Sequence, residues 1–140
     1  MDQSSKIKVG IGIMVYRNGQ VLLGKRQGSH GAGEYASPGG SMEFGESFAE
    51  SAMRECLEET GMRIANIRFR FLSNLRSYTG KHYVHIQLDA DWESGEPRVM
   101  EPEKCEYWDW YSLDDLPSPM FKTYDLYLES LETGRNYFDQ

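Results

Sequence analysis

The first part of the chain alternates between apolar residues and smaller or polar ones, the pattern of a half-buried β-strand. The apolar positions are Ile7, Val9, Ile11, Ile13 and Val15. Gly10 and Gly12 then lie on the other face, where the missing side chains permit a close approach. Either a ligand or a neighbouring strand could occupy that space.

A second strand is predicted after Asn18-Gly19, a dipeptide that favours a two-residue hairpin turn. It runs from Val21 to Arg26 and ends in two basic residues, Lys25 and Arg26. These are either solvated edge charges or groups that face an anionic ligand. The glycine-rich residues 27–38 predict a loop, and the Ser-Pro-Gly-Gly run at 37–40 permits a tight approach of backbone to ligand.

The strongest helix signal lies between Ser47 and Gly61. Ser47 and Glu50 form a capping box, and Gly61 can adopt the left-handed conformation that ends a helix. At about 100° per residue, the apolar residues fall in one arc that is predicted to pack on a core. They are Ala49, Ala52, Met53, Cys56 and Leu57.

Three glutamates, Glu55, Glu58 and Glu59, fall on the opposite side of this helix. Like charges at this spacing weaken a helix by roughly 0.2–0.5 kcal/mol per pair. A hard divalent cation such as Mg²⁺ would remove the repulsion because it takes carboxylate oxygens as ligands. The alternative is a solvated acidic face, since charge runs are common on protein surfaces.

Beyond the helix, residues 64–77 and 83–92 predict two strands around a turn at 79–81. His85 falls on the polar face of the second strand, where it is either structural or in contact with a base. A short strand is predicted at 107–111 and a last helix at 121–131, with Phe121, Tyr124, Leu128 and Leu131 at helical spacing. This order of elements predicts a mixed sheet flanked by helices, in the α/β class.

The 140 residues suit a single domain that spans 1–140. A net charge of −7 argues against a nonspecific binder of nucleic-acid polymers but not against a nucleotide that arrives with metal ions. The two cysteines, Cys56 and Cys105, are far apart, which favours reduced thiols and a cytoplasmic protein. We expect neither a signal peptide nor a membrane span, because no long apolar run occurs.

The residues from Gly40 to Met62 match the spacing G-x5-E-x7-R-E-U-x-E-E-x-G-U, where U is a bulky aliphatic residue. This is the signature of the Nudix hydrolases. If each residue type occurs at roughly 7%, seven fixed positions would match by chance in about one chain in a million. Cys56 and Met62 stand at two of the U positions, and both are residue types that are commonly buried. The chain therefore resembles a Nudix hydrolase, which implies a mixed sheet sandwiched between helices (α/β/α).

The resemblance implies a divalent cofactor, Mg²⁺ or Mn²⁺, and hydrolysis of a nucleoside diphosphate linked to another group. The implied metal ligands are one backbone carbonyl and a set of carboxylates: Gly39, Glu55, Glu58, Glu59 and Glu103. In the family a carboxylate from the later loop often contacts the metal. Glu103 is predicted to be that ligand here, and Glu101 and Glu106 are the alternatives.

The resemblance also implies catalytic roles for Glu55, Glu58, Arg54 and Glu46. One of the helix glutamates would take the proton of the attacking water, and Glu55 is the favoured base. Glu46 and Arg54 would form a pair that orients the loop and the helix, because an arginine can hold a carboxylate in a directional, bidentate way.

Segments outside the signature resemble the MutT-type nucleoside triphosphate pyrophosphatases, in the branch of the eukaryotic nucleotide and thiopurine-nucleotide diphosphatases. They are VLLGKR, GAGEYASPGGSMEFGES and EPEKCEYWDW. That branch implies conversion of an NTP or dNTP to monophosphate and pyrophosphate, with nucleotide-pool sanitation as one role, and often a homodimer. In that branch, residues aligned with Ser37, His85 and Tyr124 lie around the base. Arg26, at the end of the second strand, and Gly40, in the Ser-Pro-Gly-Gly run, complete the predicted substrate-binding set.

Other functions stay open at this point. Tyr78 lies sixteen residues after Met62, where some dinucleoside-polyphosphate enzymes of the family carry tyrosine and ADP-ribose enzymes carry proline. The coenzyme A branch would need a second arginine after VLLGKR, and an RNA 5′-end hydrolase would need a basic surface. A non-catalytic nucleotide sensor would be expected to lose signature glutamates, and all of them are present here.

Overall fold

The computed structural model describes residues 6–28 and 31–139. Within these ranges the elements are, in chain order, β1 (Lys8–Arg17), β2 (Gln20–Arg26), β3 (Tyr35–Ala36), β4 (Gly39–Ser41), α1 (Phe48–Thr60), β5 (Arg63–Leu75), β6 (Tyr83–Ser94), β7 (Cys105–Ser112), α2 (Tyr124–Thr133) and β8 (Tyr137–Phe138). Among the described residues, no helix combines the length and the hydropathy that a membrane crossing requires.

The sheet is built around β1. On one edge β1 pairs with β6 in parallel, and on the other edge it pairs antiparallel with β4 and, further along, with β2. The strand order is β3-β2-β1-β6-β5-β8, while β4 joins β1 and β7 joins β2. Parallel and antiparallel pairs thus occur in one sheet, which confirms the predicted mixed topology.

Each face of the sheet carries its own core and its own helix. On one face α1 inserts Ala52 and Cys56 among the buried β1 residues Ile11, Ile13 and Val15. On the other face α2 packs against the opposite side chains of the sheet; this second core contains Met14, Val21, Leu23, Phe71, Leu126, Tyr127 and Phe138. Alternate side chains of β1 therefore belong to the two cores on opposite faces of the sheet. The predicted α/β/α fold is confirmed.

Several local predictions are confirmed. Asn18 and Gly19 have φ values of 51° and 78°, as a primed hairpin turn requires. The capping box of Ser47 and Glu50 is formed, and Gly61 ends α1 in the left-handed conformation. The loop prediction for 27–38 was wrong at β3, where Tyr35–Ala36 pairs with β2. This two-residue strand exists because it pairs with β2, about ten residues earlier in the chain, so the hydrophobic pattern of the segment itself does not predict it.

The predicted inner face of α1 was wrong in part. Its buried residues are Ser51, Ala52, Glu55, Cys56 and Thr60. Met53 and Leu57, which were expected in the core, are 45% and 42% exposed. The helix is turned so that Glu55, and not the whole apolar arc, faces the protein.

The predicted inner face of the last helix was also wrong. The helix begins at Tyr124, and its buried residues are Leu126, Tyr127 and Ser130. Leu128 and Leu131 are 39% and 38% exposed. Tyr124 lies beside the central cavity of the protein, so the predicted stripe marks an edge of the helix and not its core face.

Alanine substitutions can test this orientation of α1. Met62, just beyond the helix, is fully buried in the first core, so Met62→Ala should lower the free energy of unfolding by about 2–5 kcal/mol. Leu57→Ala should change it by less than about 1 kcal/mol, because the side chain is already partly in water. Urea denaturation measures both values. Equal losses in the two variants would contradict the orientation of α1.

Candidate functional site

One cavity of about 540 Å³ is bordered by both helices and by the sheet. Its carboxylate side consists of residues from β4, α1 and the loop before β7: Gly39, Gly40, Arg54, Glu55, Glu58, Glu59, Glu101 and Lys104. Its strand side consists of residues from β1, β6 and the start of α2: Gly10, Gly12, Tyr83, His85, Gln87, Thr123, Tyr124 and Tyr127. The cavity thus joins a charged side to a side lined with glycines and ring-bearing residues.

The backbone of β4 lies directly against the carboxylates of α1. A Cβ atom on Gly40 would lie 2.4–2.5 Å from the carboxyl atoms of Glu55, so only glycine leaves room for this group. The Gly39 N–H donates a hydrogen bond of 2.7 Å to Oε2 of Glu59. In an extended strand the C=O of a residue points to the same side as its N–H, so the Gly39 carbonyl also faces away from β1. Gly39 therefore offers a backbone oxygen on the carboxylate side.

Arg54 connects the acidic groups of this side. Its guanidinium donates to both carboxylate oxygens of Glu46, at 2.6 and 2.9 Å. It also donates to Glu55 at 2.7 Å and to Glu58 at 3.2 Å. A further bond of 3.0 Å reaches the carbonyl of Ser41 in β4. One side chain thus fixes the loop, the helix and β4 relative to one another, and the expected contact between Glu46 and Arg54 is present.

Burial shifts the protonation of the helix carboxylates. It raises the pKa of Glu59 to about 8, although the bond from the Gly39 N–H acts in the opposite direction. Burial also raises the pKa of Glu55, and Arg54 partly offsets this. By contrast, the hydrogen bond from Arg54 lowers the pKa of Glu46 to about 2. A nearby cation would favour the ionised forms of Glu55 and Glu59.

The donor chemistry of this side fits a hard divalent cation. Three carboxylates and one backbone carbonyl supply only oxygen atoms, which Mg²⁺ prefers. In residues 6–28 and 31–139, however, no three His, Cys, Asp or Glu side chains already stand together as a ligand set. The reason is visible in the contacts, since Glu55 and Glu58 accept from Arg54 and Glu59 accepts from Gly39.

The later loop places its three acidic residues differently. Glu103 is exposed and does not line the cavity, so the structure gives no support to it as the loop carboxylate. Glu101 does line the cavity, and its charge contributes to the raised pKa of Glu59. Glu106 pairs with Lys25 at 3.5 Å. In this loop the Lys104 N–H donates to the Glu101 carbonyl and forms a turn that places Glu101 at the cavity. The spacing of the three glutamates along the sequence did not show which of them would lie there.

Residues of the expected substrate site lie around the same cavity. Arg26, Ser37, Gly40, His85 and Tyr124 all line it. The Arg26 guanidinium lies 4.9 Å from the ring centre of Phe121, which also lines the cavity. The structure therefore brings together residues from β2, β4, β6 and α2 that are far apart in sequence.

The strand side shows what approaches the two glycines of β1. A Cβ atom on Gly12 would lie 2.7 Å from Oε1 of Gln87 and 3.0 Å from Cε1 of His85. Of the two occupants considered, side chains of the neighbouring strand β6 fill this space. Sequence reasoning missed Gln87 and Lys104 as cavity residues. The alternation through His85 could have indicated Gln87, whereas Lys104 gave no signal beyond its place in the acidic loop.

The family model described as the NUDIX domain matches residues 6–131, which include both sides of the cavity. The chain belongs to the Nudix hydrolase family. Nudix hydrolases act on nucleotide substrates and generally use divalent metal ions.

Two relatives carry different substrate names. An oxidized purine nucleoside triphosphate hydrolase from Danio rerio is 33% identical over 111 residues, which are 75% of this chain and 66% of that protein. An NAD-capped RNA hydrolase NudC from Photorhabdus laumondii is 32% identical over 103 residues, 74% of this chain and 38% of that protein. The chain thus spans just under two thirds of the first Nudix relative and about two fifths of the second.

Solved Nudix structures share the architecture. A MutT NUDIX hydrolase from Burkholderia pseudomallei superposes with a TM-score of 0.82 at 33% identity, covering 89% of this chain and 98% of that one. A MutT protein from Bacillus halodurans gives a TM-score of 0.73 at 27% identity, covering 93% and 86%. The protein is therefore MutT-like within the Nudix family.

The raised pKa of Glu59 predicts an unusual pH dependence of the free energy of unfolding when a chelator keeps the protein free of metal ions. Between the ordinary pKa of 4.5 and about 8, the folded protein holds a proton that the unfolded chain has released. This contribution makes the folded state less stable as the pH rises. We expect the free energy of unfolding of wild type, relative to Glu59→Gln, to fall between about pH 5 and pH 8 in EDTA, as followed by urea denaturation. A relative stability that rises over this range would contradict a Glu59 that is protonated in the folded protein.

Proposed function

We propose that this Nudix protein hydrolyses nucleoside or deoxynucleoside triphosphates to the monophosphate and pyrophosphate, with Mg²⁺ or Mn²⁺ as its cofactor. The observation that carries this proposal is that one cavity joins the carboxylate side to the strand side. The first suits a metal-bound phosphate chain, and the second offers enclosed polar and ring-bearing side chains for a base.

In this proposal the cation is held by the Gly39 carbonyl, the three helix glutamates and Glu101, which takes the place first assigned to Glu103. When bound, it neutralises charge on the phosphates and makes bound water more acidic. The raised pKa values of Glu55 and Glu59 support this, because such carboxylates gain most from a nearby positive charge.

Glu55 is the proposed general base, with Glu58 beside it. Glu55 is 8% exposed and is held between Arg54 and Gly40, so its oxygens have a fixed position. A base must lie within hydrogen-bond reach of the water whose proton it takes. The pair of Glu46 and Arg54 maintains that position by joining the loop to the helix.

The basic residues of the cavity would receive the phosphate chain. Arg26 lies at the end of β2, and Lys104 lies in the loop that carries Glu101. Phosphoryl transfer depends on positioning and charge neutralisation more than on covalent chemistry, so cations at these two places suit it. Ser37, His85 and Tyr124 would then contact the base, while the absence of a side chain at Gly40 leaves room for Glu55.

The alternative Nudix substrates have less support. The Tyr78 hydroxyl donates to Glu34 at 2.6 Å and accepts from the Lys122 N–H, and Tyr78 does not line the cavity. The one residue that suggested a dinucleoside polyphosphate is thus engaged in the fold. The NudC name indicates capped RNA for that relative, but a net charge of −7 is unfavourable for binding an RNA polymer.

The cellular part of the proposal is a cytoplasmic enzyme of nucleotide-pool sanitation that acts as a homodimer. Two free, buried cysteines support a reducing compartment. The name of the Danio rerio relative supports a role with damaged triphosphates. Light scattering of the purified protein would decide between a monomer and a dimer.

A hydrolysis screen with Mg²⁺ tests the activity. It would contain the common NTPs and dNTPs, oxidised purine triphosphates, ADP-ribose, diadenosine tetraphosphate and NAD-capped RNA. Pyrophosphate and monophosphate would be measured separately. Pyrophosphate release from triphosphates would support the proposal. Activity on the other substrates alone would overturn the choice of substrate, and nucleotide binding without any turnover would favour a sensor.

A further inference from the structure

His85 and Gln87 form a hydrogen-bonded pair on the strand side of the cavity. They are 8% and 4% exposed, and both line the cavity. Nε2 of His85 lies 3.0 Å from Oε1 of Gln87. Because they project from the same face of β6, two residues apart, the strand itself brings them together.

The surroundings of Gln87 decide which atom of its amide faces the histidine. Its Nε2 donates to the Leu88 carbonyl at 3.2 Å, and the opposite amide orientation would place two oxygen acceptors against each other. Oε1 therefore faces His85. Since Oε1 can only accept, Nε2 of His85 must carry a hydrogen atom.

The other ring nitrogen of His85 is then an acceptor. Burial lowers the pKa of His85, so the ring is neutral and carries a single N–H. That hydrogen is on Nε2, which leaves a lone pair on Nδ1. Among the described residues, Gln87 is the hydrogen-bond partner of the His85 side chain, and no donor reaches Nδ1.

Nδ1 of His85 lies close to Gly10 and Tyr83. A Cβ atom on Gly10 would lie 3.8 Å from Nδ1, and the nearest side chain to that point is Tyr83, at 3.2 Å. Gly10, Tyr83 and His85 all line the cavity. Because its neighbours Gly10 and Tyr83 both line the cavity, the ring edge of His85 that carries Nδ1 lies on the cavity side.

We propose that His85, held by Gln87 as the Nε2–H tautomer, determines base specificity by offering Nδ1 as a hydrogen-bond acceptor. The site then selects nucleotides whose base presents an N–H donor at this point and rejects those that present a lone pair. Gln87 acts through His85 and is a positioning residue. This inference rests on the proposed function for its substrate class, a nucleotide, while the tautomer itself does not depend on any activity.

The first experiment observes the two ring nitrogens directly. The ¹⁵N chemical shifts of histidine distinguish a bare ring nitrogen from an N–H, and we expect a bare Nδ1 and a protonated Nε2 for His85. Adding nucleoside monophosphates, which need no hydrolysis, should shift the Nδ1 resonance in the direction of a hydrogen-bonded acceptor. A hydrogen on Nδ1 in the free protein, or an Nδ1 resonance that no saturating monophosphate moves, would overturn the proposal.

The second experiment compares bases that differ in one N–H group, as adenine differs from unsubstituted purine, guanine from hypoxanthine, and 8-oxoguanine from guanine. Wild type should favour the donor-bearing member of at least one pair by about tenfold in binding, the value of one hydrogen bond. Gln87→Glu should reverse or abolish that preference, because a carboxylate stabilises the imidazolium, in which Nδ1 is a donor.

Ser73→Ala is the matched control. Ser73 pairs with His85 across β5 and β6, and its buried hydroxyl has no hydrogen-bond partner among the described residues. This variant should leave both the ring resonances and the base preference unchanged. If no nucleotide is hydrolysed, the proposed function fails, yet the ring resonances and monophosphate binding still decide the role of His85. Equal preferences in wild type and Gln87→Glu would overturn it.

Discussion

Glu55→Gln is expected to keep the fold and to lower kcat by about 10³-fold or more. A general base alone contributes roughly 10²–10⁴-fold, and an amide is also a weaker ligand for a divalent cation than a carboxylate. The substituted group keeps its size, so it still fits against Gly40 and can still accept from Arg54. Steady-state kinetics on the substrate found in the screen, with circular dichroism for the fold, measures the effect.

Glu50→Gln is the control for this variant. It removes the same charge from the same helix, but Glu50 does not line the cavity. Its side chain accepts from the Ser47 N–H in the capping box, where glutamine also serves. Its kcat should stay within about twofold of wild type. A fully active Glu55→Gln enzyme would contradict the role of Glu55.

Arg54→Ala is expected to have the second largest effect, lowering kcat by about 10²-fold. The substitution removes the donor that holds Glu46, Glu55 and Glu58 in their present positions. Displacement of a catalytic group by about 1 Å can cost a factor of this size. Arg54→Lys should restore little of the activity, because an ammonium group cannot reproduce the bidentate contact with Glu46.

Arg135→Ala provides the comparison for a general loss of positive charge. Arg135 pairs with Glu129 at 3.0 Å on the surface and does not line the cavity. Exposed pairs of this kind contribute about 0–1 kcal/mol to stability, so both kcat and the melting temperature should change little. An Arg54→Ala enzyme as active as Arg135→Ala would show that the carboxylates keep their positions without the guanidinium.

The sequence by itself determined the elements whose causes are local. Ser47, Glu50 and Gly61 define α1 because caps act within a few residues. The Asn18-Gly19 turn follows from backbone preferences of the same short range. The spacing of the glutamates was sufficient to predict a Nudix hydrolase, since the signature lies within one helix and the loop before it.

Only the tertiary structure decided which side chains meet. The β1–β4 pairing brings Gly39 and Gly40 against α1, so Glu55 is turned inward while Leu57 is left exposed. In the same way, a turn in the later loop favours Glu101 over Glu103. Burial between the sheet and α2, together with the contact to Gln87, makes His85 a neutral acceptor and not merely a polar strand residue. These outcomes depend on contacts between segments far apart in sequence, and their energies are set by packing and desolvation, which the periodicity of one segment does not contain.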